Sequence, residues 1–359
     1  MKRAAVAFVI AACGTAAAPP KPSVAVKNAV DPAAHLETTT EEIGFLTVDG
    51  SNVPGTLVRP TSPGKFPAVV ICAGSGPTDR DWNNPLISTK NGSGKLLAEA
   101  LASHGVVVVR FDKAQVGANT TKLTGHTIDV YVDEMRGALS YLRARPDVDT
   151  AHLFVAGHSE GGIHAMRTAL VEADHVAGLM LLSASGRTMR DIIVAQITAQ
   201  IEDKAPGQAA TLLAPFAKAL DDFGGGATVD PKAATPIPGL QMLLGSLMAF
   251  PELGRGLLMF DPVATLPKVQ VPIFIYNGEH DIQVDAAIDA KALTAAAQST
   301  NKDVTVFLAP DADHVLKHET RAIPELRKDL EATAAGYNAP ARNLDDATVG
   351  AIVAWLAKH

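Results

Sequence analysis

The sequence predicts an α/β protein built on a mostly parallel central sheet with helices on both faces. Three observations carry this. Continuous apolar runs rich in β-branched residues, such as PAVVICAG and GVVVVRFD, fit strands buried on both faces. Segments of helical spacing with glycine stops lie between them. The two kinds then alternate along the chain, which is the pattern of a parallel sheet fed by helical crossovers.

The elements follow in order. Met1-Lys2-Arg3 is a positive start, Ala4 to Ile10 a short apolar run, and Ile10-Ala11-Ala12-Cys13 closes it. This run is too short to span a bilayer. It resembles a bacterial lipoprotein signal, which implies a lipidated Cys13 and membrane anchoring. The alternative is an ordinary secretory signal cut after a small-x-small site such as Thr15-Ala16-Ala17, and both readings export the protein. Residues 1–13 are thus read as a signal segment, and 14–40, rich in Ala, Pro, Thr and Val, as a flexible tether.

Folded structure is expected to begin with a hairpin, IGFLTVDG and VPGTLVRP joined through Asp49-Gly50-Ser51-Asn52. Between the first two buried strands, GKLLAEALASHG reads as a helix that stops at Gly105. Next come the helix DVYVDEMRGALSYLRAR, the strand HLFVAG, a helix from Glu160 to about Ala173, and the strand VAGLMLLSA. From 188 to 267 the strand pattern stops. MRDIIVAQITAQI, ATLLAPFAKALDDF and GLQMLLGSLMAF read as helices, with GGGATVDPKAATPIP as a loop between them. The alternation resumes with VPIFIYNG, a helix over Ala286 to Ala297, DVTVFLAP and the terminal helix DDATVGAIVAWLAK. One core made of 41–187 and 268–359, interrupted by a helical cap at 188–267, is simpler than two domains.

A net charge of -7 without a long basic run excludes the usual footprint of a nucleic-acid binder and favours a small-molecule partner. Cys72 sits in an apolar run and reads as a buried thiol. It has no disulfide partner in the chain if Cys13 is lipidated or removed. The histidines show no metal-ligand spacing such as HExxH, and no metal or cofactor is implied. Asp79, Arg80 and Asp81 are compatible with a metal or phosphate site or with a salt-bridged loop.

Gly157-His158-Ser159-Glu160-Gly161 fits GxSxG between a strand and a helix, the context in which a serine is projected from a sharp turn. Gly157 and Gly161 give the turn its room. A serine hydroxyl needs a base to take its proton and a carboxylate to orient that base. Asp281 follows PIFIYNG and His314 follows VTVFLAP, so the chain order is Ser, Asp, His, each after a predicted strand. Glu279 and Asp285 rival Asp281, while His318 and His280 rival His314. The turn after VVICAG offers one backbone oxyanion donor, Ser75 or alternatively Gly74, and the N–H of Glu160 offers the other. The Glu160 side chain reads as a cap for the helix or a substrate contact.

With CAGSGPTDRDWN, RFDKAQVG, GHSEGG, NGEHDIQV and ADHVLK in place, the chain after residue 40 resembles the α/β-hydrolases, nearest to bacterial serine aminopeptidase-like and dienelactone hydrolase-like esterases. The resemblance implies Ser159 as nucleophile, His314 as general base and then acid, and Asp281 as its orienting carboxylate. Relatives commonly carry Asp-Lys-Arg-Gly where this chain has Asp112-Lys113-Ala114-Gln115, a departure that concerns the pocket rather than the triad. The expected activity is carboxylesterase on short- to medium-chain esters. A peptidase or amidase, and a non-catalytic binding protein on the same fold, are the alternatives.

Overall fold

A computed structural model describes residues 29–86, 90–123, 125–173, 175–339 and 342–359. The signal segment and most of the expected tether therefore lie outside the described residues. The last part of that tether is docked on the body. Val30 is buried, Asp31 N–H and Leu36 N–H donate to the carbonyls of His104 and Ser103, and the first strand already begins at Thr38. An apolar Val30 with a dry place to sit outweighs the entropy that a Pro/Ala-rich segment would keep in water.

The hairpin pairs β1 (Thr38–Leu46) antiparallel to β2 (Asn52–Pro60), with Leu46 opposite Asn52 across the turn. β3 (Phe66–Cys72), α1 (Ser93–Ser103), β4 (Val107–Phe111), α2 (Asp129–Arg143), β5 (Val148–His158), α3 (Gly161–Val171) and β6 (Gly178–Leu182) then alternate. β7 (Ile273–Gly278) and β8 (Val304–Ala309) complete one sheet of order β1-β2-β4-β3-β5-β6-β7-β8. β3 through β8 run parallel to one another, and β4 also pairs antiparallel with β2. The C-terminal ends of these six strands therefore share one edge, where open α/β sheets place their ligands.

Every residue of β3, β4 and β6 is buried, which accounts for their unbroken apolar sequences. Alternate residues feed two cores. Val70, Cys72 and Val109 meet α2, α3 and α10 (Lys291–Gln298) through Met135, Leu139, Met166 and Leu293. Val69, Ile71 and Val108 meet α1 and the terminal α13 (Asp346–Lys358) through Leu97, Leu101, Ile352 and Trp355. Helices thus cover both faces, as the sequence predicts.

Between β6 and β7 lie α4 (Met189–Lys204), α5 (Ala209–Gly224), α6 (Pro231–Ala234), α7 (Pro238–Ala249), α8 (Pro251–Leu258) and α9 (Pro262–Thr265). The sequence reading finds three of these. It misses α8 and α9, whose eight and four residues are too few to establish a helical period, and treats α6 as loop. Phe216, Leu220 and Phe223 of α5 pack with Leu240 and Leu244 of α7 into an apolar cluster distinct from the two sheet cores. The insertion is fixed at its start by Asp289, a fully buried carboxylate in the π-helical turn Ala286–Ala290. It accepts from the N–H groups of Gly186, Arg187 and Asp285, and the Arg187 guanidinium grips both its oxygens. At the other end Leu266 and Val269 are buried in the sheet core. Between β8 and α13 run α11 (Ile323–Lys328) and α12 (Leu330–Tyr337), which the sequence reading leaves unassigned.

Candidate active site

The chain turns from β5 into α3 at Ser159, whose φ of 53° lies in the left-handed region. A non-glycine residue holds that conformation only when its surroundings fix it. Here Ser159 N–H donates to Leu182 O at 2.9 Å, and its carbonyl accepts from Gly162 N–H at 2.9 Å. A Cβ on Gly157 would overlap the Gly161 carbonyl, and one on Gly161 would lie 2.5 Å from Cys72 O. The two glycines let β3, β5 and α3 meet at this corner.

Asp281 and His314 come together across the ends of β7 and β8. His314 Nδ1 donates to Asp281 Oδ2 at 2.7 Å, and both side chains are buried. The second oxygen, Oδ1, accepts from Gln283 N–H at 2.7 Å and Val284 N–H at 2.9 Å. With its carboxylate so held, the imidazole carries its proton on Nδ1 and leaves Nε2 as an acceptor. The rivals point elsewhere. Asp285 caps the following turn by accepting from Ala287 and Ile288, Glu279 is exposed, and the exposed His318 faces Asp345 at 3.4 Å.

His158 joins this pair to the elbow. Its Nε2–H donates to the His314 carbonyl at 2.8 Å, its ring packs on the His314 ring at 4.8 Å, and Trp82 stacks on its other side at 4.0 Å. Burial, with the neighbouring His314 second, drives its pKa well below the usual histidine value, so it is neutral. Sequence reasoning misses this role because a histidine inside GxSxG carries no pattern of its own.

The loop after β3 lies against the elbow, since a Cβ on Gly74 would come within 3.2 Å of Ser159 Cβ. Ser75 and Glu160 both line the cavity beside Ser159, and among the described residues neither of their backbone N–H groups is committed to an acceptor. The Glu160 side chain does not cap α3. It turns to Lys113, whose Nζ donates to Glu160 Oε1 at 2.9 Å and to Gly74 O at 2.7 Å, while Tyr131 lies with its ring 5.3 Å from the ammonium. Burial alone would raise the Glu160 pKa, but Lys113 and then His164 bring it down to about 2. The lysine, penalised by burial, is held above the usual lysine range by Glu160. The pair is charged at neutral pH.

The remaining motif residues are structural. Arg80 bridges Glu42 and Asp112, Arg110 pairs with Asp81, and Asp79 accepts from the N–H groups of Asp81 and Asn83. Cys72 is buried, and burial raises its thiol to about 12. Gln115 sits at φ 63°, and its amide is tied to the carbonyls of Thr120 and Thr121.

A cavity of about 520 Å³ opens over Ser159 and Glu160. Its roof comes from the insertion, with Ile192, Ile193 and Ile197 of α4, Leu243 and Leu247 of α7, and Leu253 of α8. A serine at an apolar cavity, a buried imidazole–carboxylate pair and two unspent N–H groups can together support acyl transfer.

Comparison with known proteins identifies the family and the fold. The model of the alpha/beta hydrolase family matches residues 69–325. Esterase EstD of Thermotoga maritima is 23% identical over 318 residues, covering 87% of this chain and 67% of its own. Esterase FrsA of Yersinia enterocolitica is 28% identical over 152 residues, 42% of this chain and only 33% of that protein. Among solved structures, the Pyrococcus furiosus esterase Pf2001 superposes with a TM-score of 0.50 at 14% identity, covering 87% of this chain and 98% of that one. The α/β hydrolase GrgF from Penicillium sp. sh18 also gives 0.50, at 13% identity over 77% of this chain and 91% of its own.

Proposed function

Because the chain belongs to the α/β-hydrolase family, we propose that it is an exported serine hydrolase, a carboxylesterase that cleaves short- to medium-chain acyl esters. The observation that carries the reading is the His314–Asp281 bond set beside the Ser159 elbow, under an apolar cavity. Its likeness to two esterases points the same way.

In this reading His314 Nε2 takes the Ser159 proton as Oγ attacks the ester carbonyl. The developing oxyanion is met by the N–H groups of Ser75 and Glu160, with Gly74 shaping that loop. Collapse expels the alcohol, protonated by His314, and leaves an acyl-enzyme. Water, activated by the same imidazole, then releases the acid. Asp281 stabilises the imidazolium and keeps its proton on Nδ1.

A peptidase of the aminopeptidase kind needs a free charge to hold a peptide terminus. The three candidates near the site are already engaged: Glu160 with Lys113, Arg80 with Glu42 and Asp112, and Asp79 with its own loop. This favours neutral esters. Export rests on the Met1-Lys2-Arg3 start and the apolar run that follows, and lipid anchoring on Cys13.

The test is hydrolysis of nitrophenyl acetate, butyrate, octanoate and palmitate by protein lacking residues 1–13, beside Ser159→Ala. We expect turnover on the shorter esters and a loss of at least ~10³-fold in the variant. Two equally inert proteins, with no fluorophosphonate labelling of Ser159, would leave a binding role instead.

A further inference from the structure

We propose that Lys113 is a positioning residue for the oxyanion pocket: through its bond to the Gly74 carbonyl it orients and polarises the Gly74–Ser75 peptide, and through Glu160 it ties that peptide to the second donor. The inference rests on the serine hydrolase reading above.

The geometry of the peptide unit carries the argument. Gly74 C=O and Ser75 N–H belong to one planar trans amide and point in opposite directions. An ammonium 2.7 Å from that oxygen therefore fixes where the Ser75 N–H points, away from Lys113. The bond is charge-assisted, so it is stronger and more directional than a neutral one. It also draws electron density toward the oxygen and leaves the N–H a better donor, as in any chain of hydrogen bonds. The same Nζ holds Glu160 Oε1 at 2.9 Å, and Glu160 supplies the other N–H. One cation thus spans both halves of the pocket. Nothing has to reorganise when negative charge appears on the substrate, and such preorganisation is the largest source of oxyanion stabilisation.

Two further observations fit a positioning role better than its competitors. Lys113 is 2% exposed, and a buried ion pair adds little net stability over an apolar pair of the same shape, so stability alone is a weak reason to bury it. Although Lys113 lines the cavity, its charge is already balanced by Glu160 and its remaining face lies over the Tyr131 ring, which leaves it poorly placed to bind a substrate carboxylate.

The test compares wild type, Glu160→Gln and the double variant Lys113→Met/Glu160→Gln, all lacking residues 1–13. The double variant removes both charges together, whereas Glu160→Gln leaves the buried Lys113 ammonium held by the Gly74 carbonyl and the new amide oxygen, so the melting temperature of each variant is read beside its kinetics. Relative to Glu160→Gln, which keeps the bond to Gly74, the double variant should lose ~10-fold or more in kcat on nitrophenyl butyrate with KM within about 2-fold. Its affinity for a trifluoromethyl ketone, which places an oxyanion in the pocket, should fall by the same factor, while its melting temperature stays near that of wild type. Equal kcat in the two variants would overturn the proposal and leave Lys113 as the counter-charge of Glu160. A loss confined to KM would also overturn it, in favour of a substrate contact. An inert wild type with Ser159 unlabelled by fluorophosphonate would instead remove the hydrolase reading and this inference with it.

Discussion

Asp281 illustrates how much a single carboxylate can do. It holds the His314 proton with one oxygen and two backbone N–H groups with the other, so its charge is spread over three fixed donors. Asp281→Asn keeps the shape but presents either an amide N–H to Nδ1–H or forces the wrong imidazole tautomer. We expect a fall in kcat of about 10³ to 10⁴ with an unchanged melting temperature, read by steady-state kinetics and thermal denaturation. A variant as fast as wild type would remove Asp281 from the reaction. At this scale the sequence is most informative where chemistry imposes a pattern: Ser159, Asp281 and His314 are each named by motif and by position after a strand. It is silent on Lys113, His158 and Trp82, whose roles depend on which residues the fold brings to them across 39 to 156 positions.

The elements that hold these residues were legible to different degrees. Buried parallel strands are continuous apolar runs, and a run of five to seven such residues has few other homes, so β3, β4 and β6 stand out. The short helices α6, α8, α9, α11 and α12 do not, because four to eight residues cannot display a period and the prolines at the starts of all of them but α12 look like loop punctuation. Those pieces matter for the roof of the cavity. Leu247, near the end of α7, faces the cavity, and α8 packs so closely beneath it that a Cβ on Gly254 would overlap the Leu247 carbonyl. The backbone there has no room to retreat. Leu247→Trp should therefore shorten the acyl pocket, lowering kcat/KM for nitrophenyl octanoate by ~10-fold while acetate changes little. A uniform loss on both esters would place Leu247 outside the acyl path.

Across the whole molecule, two buried acids set opposed dependences on pH. Glu160 has its pKa lowered to about 2, so its contribution to stability is full above the ordinary glutamate value of 4.5 and is lost as pH falls toward 2. Glu134 is raised to about 8, chiefly by burial, against the opposing bonds from Asn119 and Ala114. Its contribution is full below 4.5 and is lost as pH climbs through 8, because the unfolded chain releases a proton that the folded one keeps. In urea titrations between pH 5 and 8, wild type should lose stability relative to Glu134→Gln with a slope of up to ~1.4 kcal/mol per pH unit. Parallel curves for the two proteins would mean that Glu134 ionises normally.

The Asp289 junction has a consequence for how this architecture can be varied. The helices between β6 and β7 have an apolar cluster of their own and enter the body through a charged plug, Arg187 in the Asp289 socket, and leave it through an apolar one, Leu266 and Val269. Neither root includes Ser159, Asp281 or His314. A transplant of residues 188–265 from another protein would need to keep these two fittings, and an apolar side chain to replace Leu253 against Ile128, Tyr131 and Ile163, to seat a different roof over the same chemistry, which makes the insertion the natural unit in which to exchange substrate range.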